Sequence, residues 1–275
     1  MKIKAMKTIL FPTDFSEAAE TAQNVAISFC KKNNAELFFL NIYQMPHVRS
    51  GSFSSSLIEV IRKDSHTKME TLENEIKTKH PDISATYKCI LGDPIQMIDE
   101  IAIGISADLI VMGTHGASGI EEVLMGSNTQ AVIKHSNTPV LAIPKNTDLD
   151  GIKNLAFASD LNFENSNGAI ETIKSLCNTY NQDLKVIHFA EFLDDTEEGE
   201  EKLHEVLKDV KHTFMEQMTS SIEKGLEEYI RYQDIHLMMM IHRKHSFWER
   251  LFTSSNSEKR AMHTKIPLLI LKEDK

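Results

Sequence analysis

One stretch of this chain carries residue types suited to chemistry. It reads Gly113-Thr-His115-Gly116-Ala-Ser-Gly119-Ile-Glu121-Glu122-Val-Leu-Met-Gly126-Ser127-Asn128. It leaves an apolar run, 108–112, and leads into a segment with helical character near Ser127. That context suits an anion. Glycines let backbone N–H groups come close to a phosphate, and a helix N-terminus adds the positive end of its dipole. Ser127 is placed to cap the helix and to donate its hydroxyl to a phosphate oxygen. The spacing matches neither GxxxxGK[ST] nor GxGxxG. The loop holds no Lys or Arg, so backbone dipoles and a bound cation would have to balance the charge. This favours retention of a nucleotide over rapid phosphoryl transfer. The competing reading is that the glycines only make turns, and that His115 is an exposed turn residue.

Other reactive constellations are thin. The twelve histidines form no HExxH or HxxxH pair, and His204 and His212 fall on different predicted elements. No GxSxG or comparable motif supports a nucleophile. With no catalytic base or arginine finger identifiable, enzymatic activity is limited to slow hydrolysis of a bound nucleotide at most. Cys30, Cys89 and Cys177 are far apart in sequence, which argues for buried thiols in a reducing compartment. Neither a secretory h-region nor an apolar run of transmembrane length is visible, so a cytoplasmic protein without a membrane partner is expected. A net charge of −10 disfavours nucleic acid as a partner.

The elements that would hold the loop come twice. With a shift of 128 residues, 84–145 aligns without gaps on 212–273. Identities include Leu109/Leu237, Met112/Met240, Ser127/Ser255, His135/His263, Pro139/Pro267 and Leu141/Leu269. A shift of 146 pairs Lys7, Phe11 and Asp14 with Lys153, Phe157 and Asp160. In the first copy, 7–13, 37–42, 83–91, 108–112 and 138–144 read as strands, and helical patterns separate them. Asp93 and Pro94 form an N-cap and first-turn pair. The second copy has strands near 153–158, 184–190, 212–218, 235–241 and 266–272. The acidic run 191–201 reads as a solvated loop. Alternation of this kind predicts an α/β fold of two tandem doubly wound domains, 1–147 and 148–275.

Gly113-x2-Gly116-x9-Gly126-Ser127 resembles the nucleotide motif of the universal stress protein family. Phe11-Pro12-Thr13-Asp14-Phe15-Ser16 is similar to the family's first-strand ending, and Asn137-Thr138-Pro139-Val140-Leu141-Ala142-Ile143-Pro144 to its closing strand. The resemblance covers the first copy and most of the second. It implies a five-stranded parallel sheet in the order 3-2-1-4-5 in each copy. A ligand is then expected where the strand order reverses, outside the carboxyl ends of strands 1 and 4. It also implies ATP as ligand, with Mg²⁺ riding on the phosphates. Asp14 would contact the adenosine part and Ile42 would offer backbone contacts to adenine. Pro12, Thr13, Met112, Gly113, His115, Gly116, Gly126, Ser127 and Asn128 would complete the site. A stress-responsive, ATP-binding regulator follows, with a nucleotide-independent scaffold and a very slow ATPase as alternatives. Pairing through 139–144 and 267–271 would make an intrachain pseudo-dimer. Dimerisation of whole chains and the protein partner stay open.

The second copy departs from this motif. Ile241, Lys244 and Ser254 replace the three motif glycines, and His242-Arg243-Lys244-His245-Ser-Phe247-Trp248 stands where the permissive loop was. No nucleotide is expected there. Residues 1–148 hold 14 Lys and Arg against 17 Asp and Glu, and 149–275 hold 16 against 23. The negative charge therefore concentrates in the copy without the glycines.

Overall fold

The computed structural model describes residues 6–45, 55–114, 126–145, 147, 153–190, 196–243 and 265–274. The elements run β1 (Thr8–Pro12), α1 (Glu17–Asn33), β2 (Glu36–Tyr43), α2 (Ser55–Lys79), β3 (Ser84–Leu91), α3 (Pro94–Gly104), β4 (Leu109–Gly113), α4 (Ser127–His135) and β5 (Val140–Ile143). The second half continues with β6 (Leu155–Ala158), α5 (Asn167–Tyr180), β7 (Leu184–Ala190), α6 (Glu197–Val206), β8 (His212–Met218), α7 (Ile222–Tyr232), β9 (Leu237–His242) and β10 (Leu268–Lys272). Residues 244–264, which hold the rest of the second copy's loop, Trp248 included, and its expected fourth helix, lie outside the described residues.

The central strands are apolar on both faces because helices cover both sides of the sheet. In β1, Ile9 and Phe11 enter the layer formed with α1 and α2, while Leu10 enters the layer formed with α3 and α4. Local signals set the boundaries. Asp93 Oδ1 accepts the N–H groups of Ile95 and Gln96 at 3.0 and 3.1 Å, ahead of Pro94. Asn34 and Asn181 end α1 and α5 in the left-handed region, at φ 50° each, where asparagine is tolerated. The acidic run departs from expectation. Its later part is not loop but the first turns of α6, where Glu197, Glu198 and Glu200 face the positive helix end. Residues 191–195 lie outside the described residues.

All ten strands form one sheet, in the order β3-β2-β1-β4-β5-β10-β9-β6-β7-β8. Each half contributes the order 3-2-1-4-5, and every pairing is parallel except β5 with β10. At that seam Leu141 stands opposite Leu269, with Ala142 opposite Leu268 and Val140 opposite Ile270. Leu141 and Leu269 are equivalent residues of the repeat, so a pseudo-two-fold axis passes between them. Lys272 crosses the seam, and its Nζ donates to the carbonyl of Ile133 near the C-terminal end of α4. Burial pulls its pKa down to about 8, opposed by the charge of Asp99. Among the described residues, no helix is long and apolar enough to cross a membrane.

Three outcomes are expected. Leu269→Ala should cost about 2–5 kcal/mol by opening a cavity at the axis, read as a lower midpoint in urea. For Lys272, the unfolded chain binds more protons than the folded one between about pH 8 and its ordinary pKa. The stability of wild type relative to Lys272→Met should therefore rise with pH across that window. Cys177 is buried, and burial pushes its thiol up to about 12. At pH 8 in the folded protein, half-buried Cys89 should alkylate well before Cys177, as peptide mass mapping would show.

Candidate functional site

The parallel order reverses between β1 and β4, and a cleft opens at their carboxyl ends. It encloses about 410 Å³, within the range of small-molecule sites. Its floor is formed by Pro12, Thr13 and Asp14 after β1, by Leu40, Ile42 and Gln44 of the second strand region, and by Met112 and Gly113 of β4. Gly126, Ser127, Asn128 and Thr129 close one side, and Ala19, Pro94 and Ile98 close the others. Nine of the residues singled out from the sequence thus meet at one cleft: Pro12, Thr13, Asp14, Ile42, Met112, Gly113, Gly126, Ser127 and Asn128. His115 and Gly116 lie outside the described residues.

A sharp turn presents Asp14. Phe15 has φ 60°, an uncommon angle for a large side chain, and it swings the chain from β1 into α1. Two side chains hold the turn. Thr13 Oγ1 accepts the Phe15 N–H, and Asp14 Oδ1 accepts the Ser16 N–H, each at 3.0 Å. The Thr13 N–H donates to the Leu40 carbonyl at 2.8 Å, extending the β1–β2 ladder to the cleft. On its far side, the Thr13 carbonyl accepts Asn41 Nδ2 at 2.7 Å, and Asn41 Oδ1 accepts the hydroxyl of Ser65 on α2. Asn41 and Ser65 are both buried. This network was missed from the sequence, although a lone asparagine in the apolar run LFFLNI was its signal.

The other wall is built on the neck of the glycine loop. The Gly126 N–H donates to the Thr114 carbonyl, and the Thr114 N–H donates to Ile143 at 2.9 Å. The Gly113 carbonyl accepts Thr129 Oγ1 at 2.8 Å, tying the end of β4 to the first turn of α4. Ser127 is not the helix cap. Gly126 occupies that position, without a side-chain cap, and Ser127 is the first helical residue. The first intrahelical bond is Gln130 N–H to the Gly126 carbonyl, 3.0 Å. The amides of Ser127, Asn128 and Thr129 thus lie in the unpaired first turn beside the cleft. Gly126 has φ −56°, which any residue adopts. The property glycine brings there is the missing Cβ. Asp14 is the one charged residue among the described lining residues, and no Lys or Arg is among them.

The second half repeats the turn, but the described residues around it differ from those of the cleft. Leu161 has φ 58°, Ser159 Oγ accepts the Leu161 N–H, and Asp160 Oδ1 accepts the Asn162 N–H. At the place of Ile42 stands Phe189, packed so closely on α7 that a Cβ at Gly225 would lie 2.9 Å from its ring. At the place of Gly113 stands buried Ile241. At the place of His115 stands Arg243, only 5% exposed. Its Nη1 pairs with Asp160 at 2.5 Å, its Nε with Glu273 at 3.0 Å, and its Nη2 donates to Ser166 Oγ. The counterpart of Asp14 is therefore engaged by an internal cation.

The sequence profile described as the universal stress protein family matches residues 6–144. Universal stress protein MJ0577 of Methanocaldococcus jannaschii is 31% identical over 158 residues, spanning 50% of this chain and 95% of its own length. Universal stress protein MJ0531 of the same organism is 32% identical over 146 residues, 50% of this chain and 82% of that protein. The crystal structure of a universal stress protein from Archaeoglobus fulgidus superposes with a TM-score of 0.76. It covers 97% of this chain and 96% of that one at 19% identity, so the likeness in fold runs through both halves. With half of its length matched by the family profile, and the switch-point cleft in that same half, the chain belongs to the universal stress protein family.

Proposed function

We propose that the protein is a regulator that holds one adenine nucleotide, ATP, in the cleft between β1 and β4. The observation that carries this reading is the cleft's chemistry. It sits at the switch point, takes the unpaired amides of α4 on one side and Asp14 on the other, and has no described cation in its wall. The α4 amides and helix dipole suit phosphate oxygens, and Ser127 adds a hydroxyl. Asp14 suits the hydroxyls of a ribose, and the edge of β2 at Ile42 suits a base through main-chain atoms. His115 and Gly116, on the loop, belong to the same proposed site. Mg²⁺ carried by the phosphates would offset charge that the wall does not. Asp14, the one described carboxylate of the cleft, is assigned to the ribose, so the reading is of retention, with hydrolysis slow at most.

Residues 1–147 would then be the nucleotide-binding domain and 148–275 a divergent domain that takes no nucleotide. Support for the second part is the Arg243–Asp160 pair, together with Phe189 and Ile241 in the equivalent positions. The divergent half is the natural seat of a protein partner, in a cytoplasmic setting. Calorimetry should find one ATP per chain. Gly126→Val should abolish binding by placing a branched side chain beside the phosphate helix. Asp14→Ala should weaken binding by roughly tenfold or more, the value of a charge-assisted hydrogen bond of about 1.5–3 kcal/mol. Wild-type protein that neither carries nor binds ATP, ADP or AMP would end this reading.

A further inference from the structure

The second half keeps a polar side chain where the first half has Asn41, but completes its surroundings differently. Strand registers put His188 of β7 in the place of Asn41, and Ser159 in the place of Thr13. His188 Nδ1 lies 2.9 Å from the Ser159 carbonyl, much as Asn41 Nδ2 lies 2.7 Å from that of Thr13. A carbonyl only accepts, so in the neutral ring Nδ1 carries the hydrogen and Nε2 presents a lone pair. In the first half, Ser65 on the 25-residue α2 donates to the remaining polar atom of Asn41. The corresponding helix α6 has ten residues, and among the described residues none bonds His188 Nε2. His188 instead lines a cavity of about 700 Å³ between the loop after β6 and α6, a size suited to a small molecule. Gly199 lets α6 close on that loop, since a Cβ there would lie 2.8 Å from Leu161 Cβ. Thr196 Oγ1 donates to Glu216 of β8 at 2.7 Å, which fixes where α6 starts.

The wall of this cavity has a definite charge. It holds four carboxylates, Asp160, Glu164, Glu198 and Glu205, and one lysine, Lys202. Arg243, which is not part of the wall, engages Asp160, and Lys202 pairs with Glu198 at 2.6 Å. Glu164 and Glu205 form no ion pair with a described residue, so two negative charges are left over. Leu161, Phe163 and Val206 add apolar surface. The surplus charge repels an anion. Among the described residues, no three His, Cys, Asp or Glu side chains converge to hold a metal ion. The wall complements an organic cation that has N–H donors and an aliphatic body. We propose that the cavity binds an aliphatic polyamine, with ammonium groups on Glu164 and Glu205, an N–H donated to His188 Nε2, and methylenes against Leu161, Phe163 and Val206. Ammonium–carboxylate hydrogen bonds are the stronger, charge-assisted kind, and the His188 acceptor sets the orientation. The site lies in the half without the glycine motif and stands independently of the nucleotide reading of the first half.

The test titrates the full chain with spermidine by calorimetry at physiological salt. Wild type should show saturable binding, and an uncharged aliphatic diol of similar length should show none. In the wild-type ¹⁵N spectrum, spermidine should shift the His188 Nε2 resonance, the mark of a lone pair that accepts a hydrogen bond. His188→Leu should weaken binding about fivefold or more, the value of one hydrogen bond, and His188→Asn, which keeps a donor and an acceptor, should recover part of the loss. Glu164→Gln with Glu205→Gln should weaken it about tenfold or more. Glu227→Gln with Glu228→Gln, at exposed positions of α7, removes the same charge and should match wild type. Circular dichroism checks that the variants fold, and the wild-type ¹⁵N spectrum decides the matter where one does not. The proposal is overturned if millimolar spermidine does not bind, or if His188 Nε2 stays unshifted at saturation. It is equally overturned if the α7 variant loses as much affinity as the cavity variant, which is general attraction to an acidic protein.

Discussion

The antiparallel pairing of β5 with β10 governs the rest of the molecule. Both strands are short, apolar and buried, and each would otherwise be an open edge of a parallel sheet. Two copies of one strand related by a two-fold axis must run antiparallel, and the register centred on Leu141 and Leu269 is compatible with that symmetry. Both apolar layers then continue through the seam, with Leu141 and Leu269 in one and Val140 and Ile270 in the other. The same symmetry turns the carboxyl ends of β1 and β4 away from those of β6 and β9. The two halves cannot share a ligand across the seam. Among the side chains that reach across it is Lys272, whose head group lies at the C-terminal end of α4, the helix whose other end borders the cleft.

The two halves keep one turn and part ways after it. The strained residue that follows the first strand, Phe15 in one half and Leu161 in the other, is retained with both of its supporting hydrogen bonds. The partner of the adjacent aspartate is what changes. Asp14 borders a cleft walled by neutral donors, whereas Asp160 meets a buried guanidinium from its own chain. A buried Arg without that carboxylate would be costly, so the pair is self-maintaining once present. The acidity of the second half is spent partly in this way, and partly at the start of α6, where the helix dipole accommodates it.

Much of the architecture was legible because it rests on local rules. Alternating apolar runs and helical spacings located the strands and helices, Asp93 and Pro94 marked a helix start, and the repeat announced two similar halves. The resemblance in the glycine motif and the Phe11–Ser16 ending brought nine residues to one cleft. Reading failed where a side chain's role depends on a distant partner. Asn41 reads only as part of the strand 37–42, yet its Nδ2 donates directly to the Thr13 carbonyl while its Oδ1 accepts the Ser65 hydroxyl. Gln44, Pro94 and Ile98 entered the cleft wall from elements that carry no motif. Ser127 was expected as a cap, but the chain's exit from the loop put Gly126 there.

By itself the sequence determined the α/β class, the similarity of the two halves, the approximate places of the strands and the family, because periodicity, capping and motif spacing are properties of neighbouring residues. The resemblance pointed to pairing of the two closing strands; tertiary structure alone decided their register, that Arg243 engages Asp160, and that His204 touches His212. Those outcomes depend on register and helix placement across the sheet. Residues 83 positions apart, as in the Arg243–Asp160 pair, come within bonding distance only after the intervening strands have found their order.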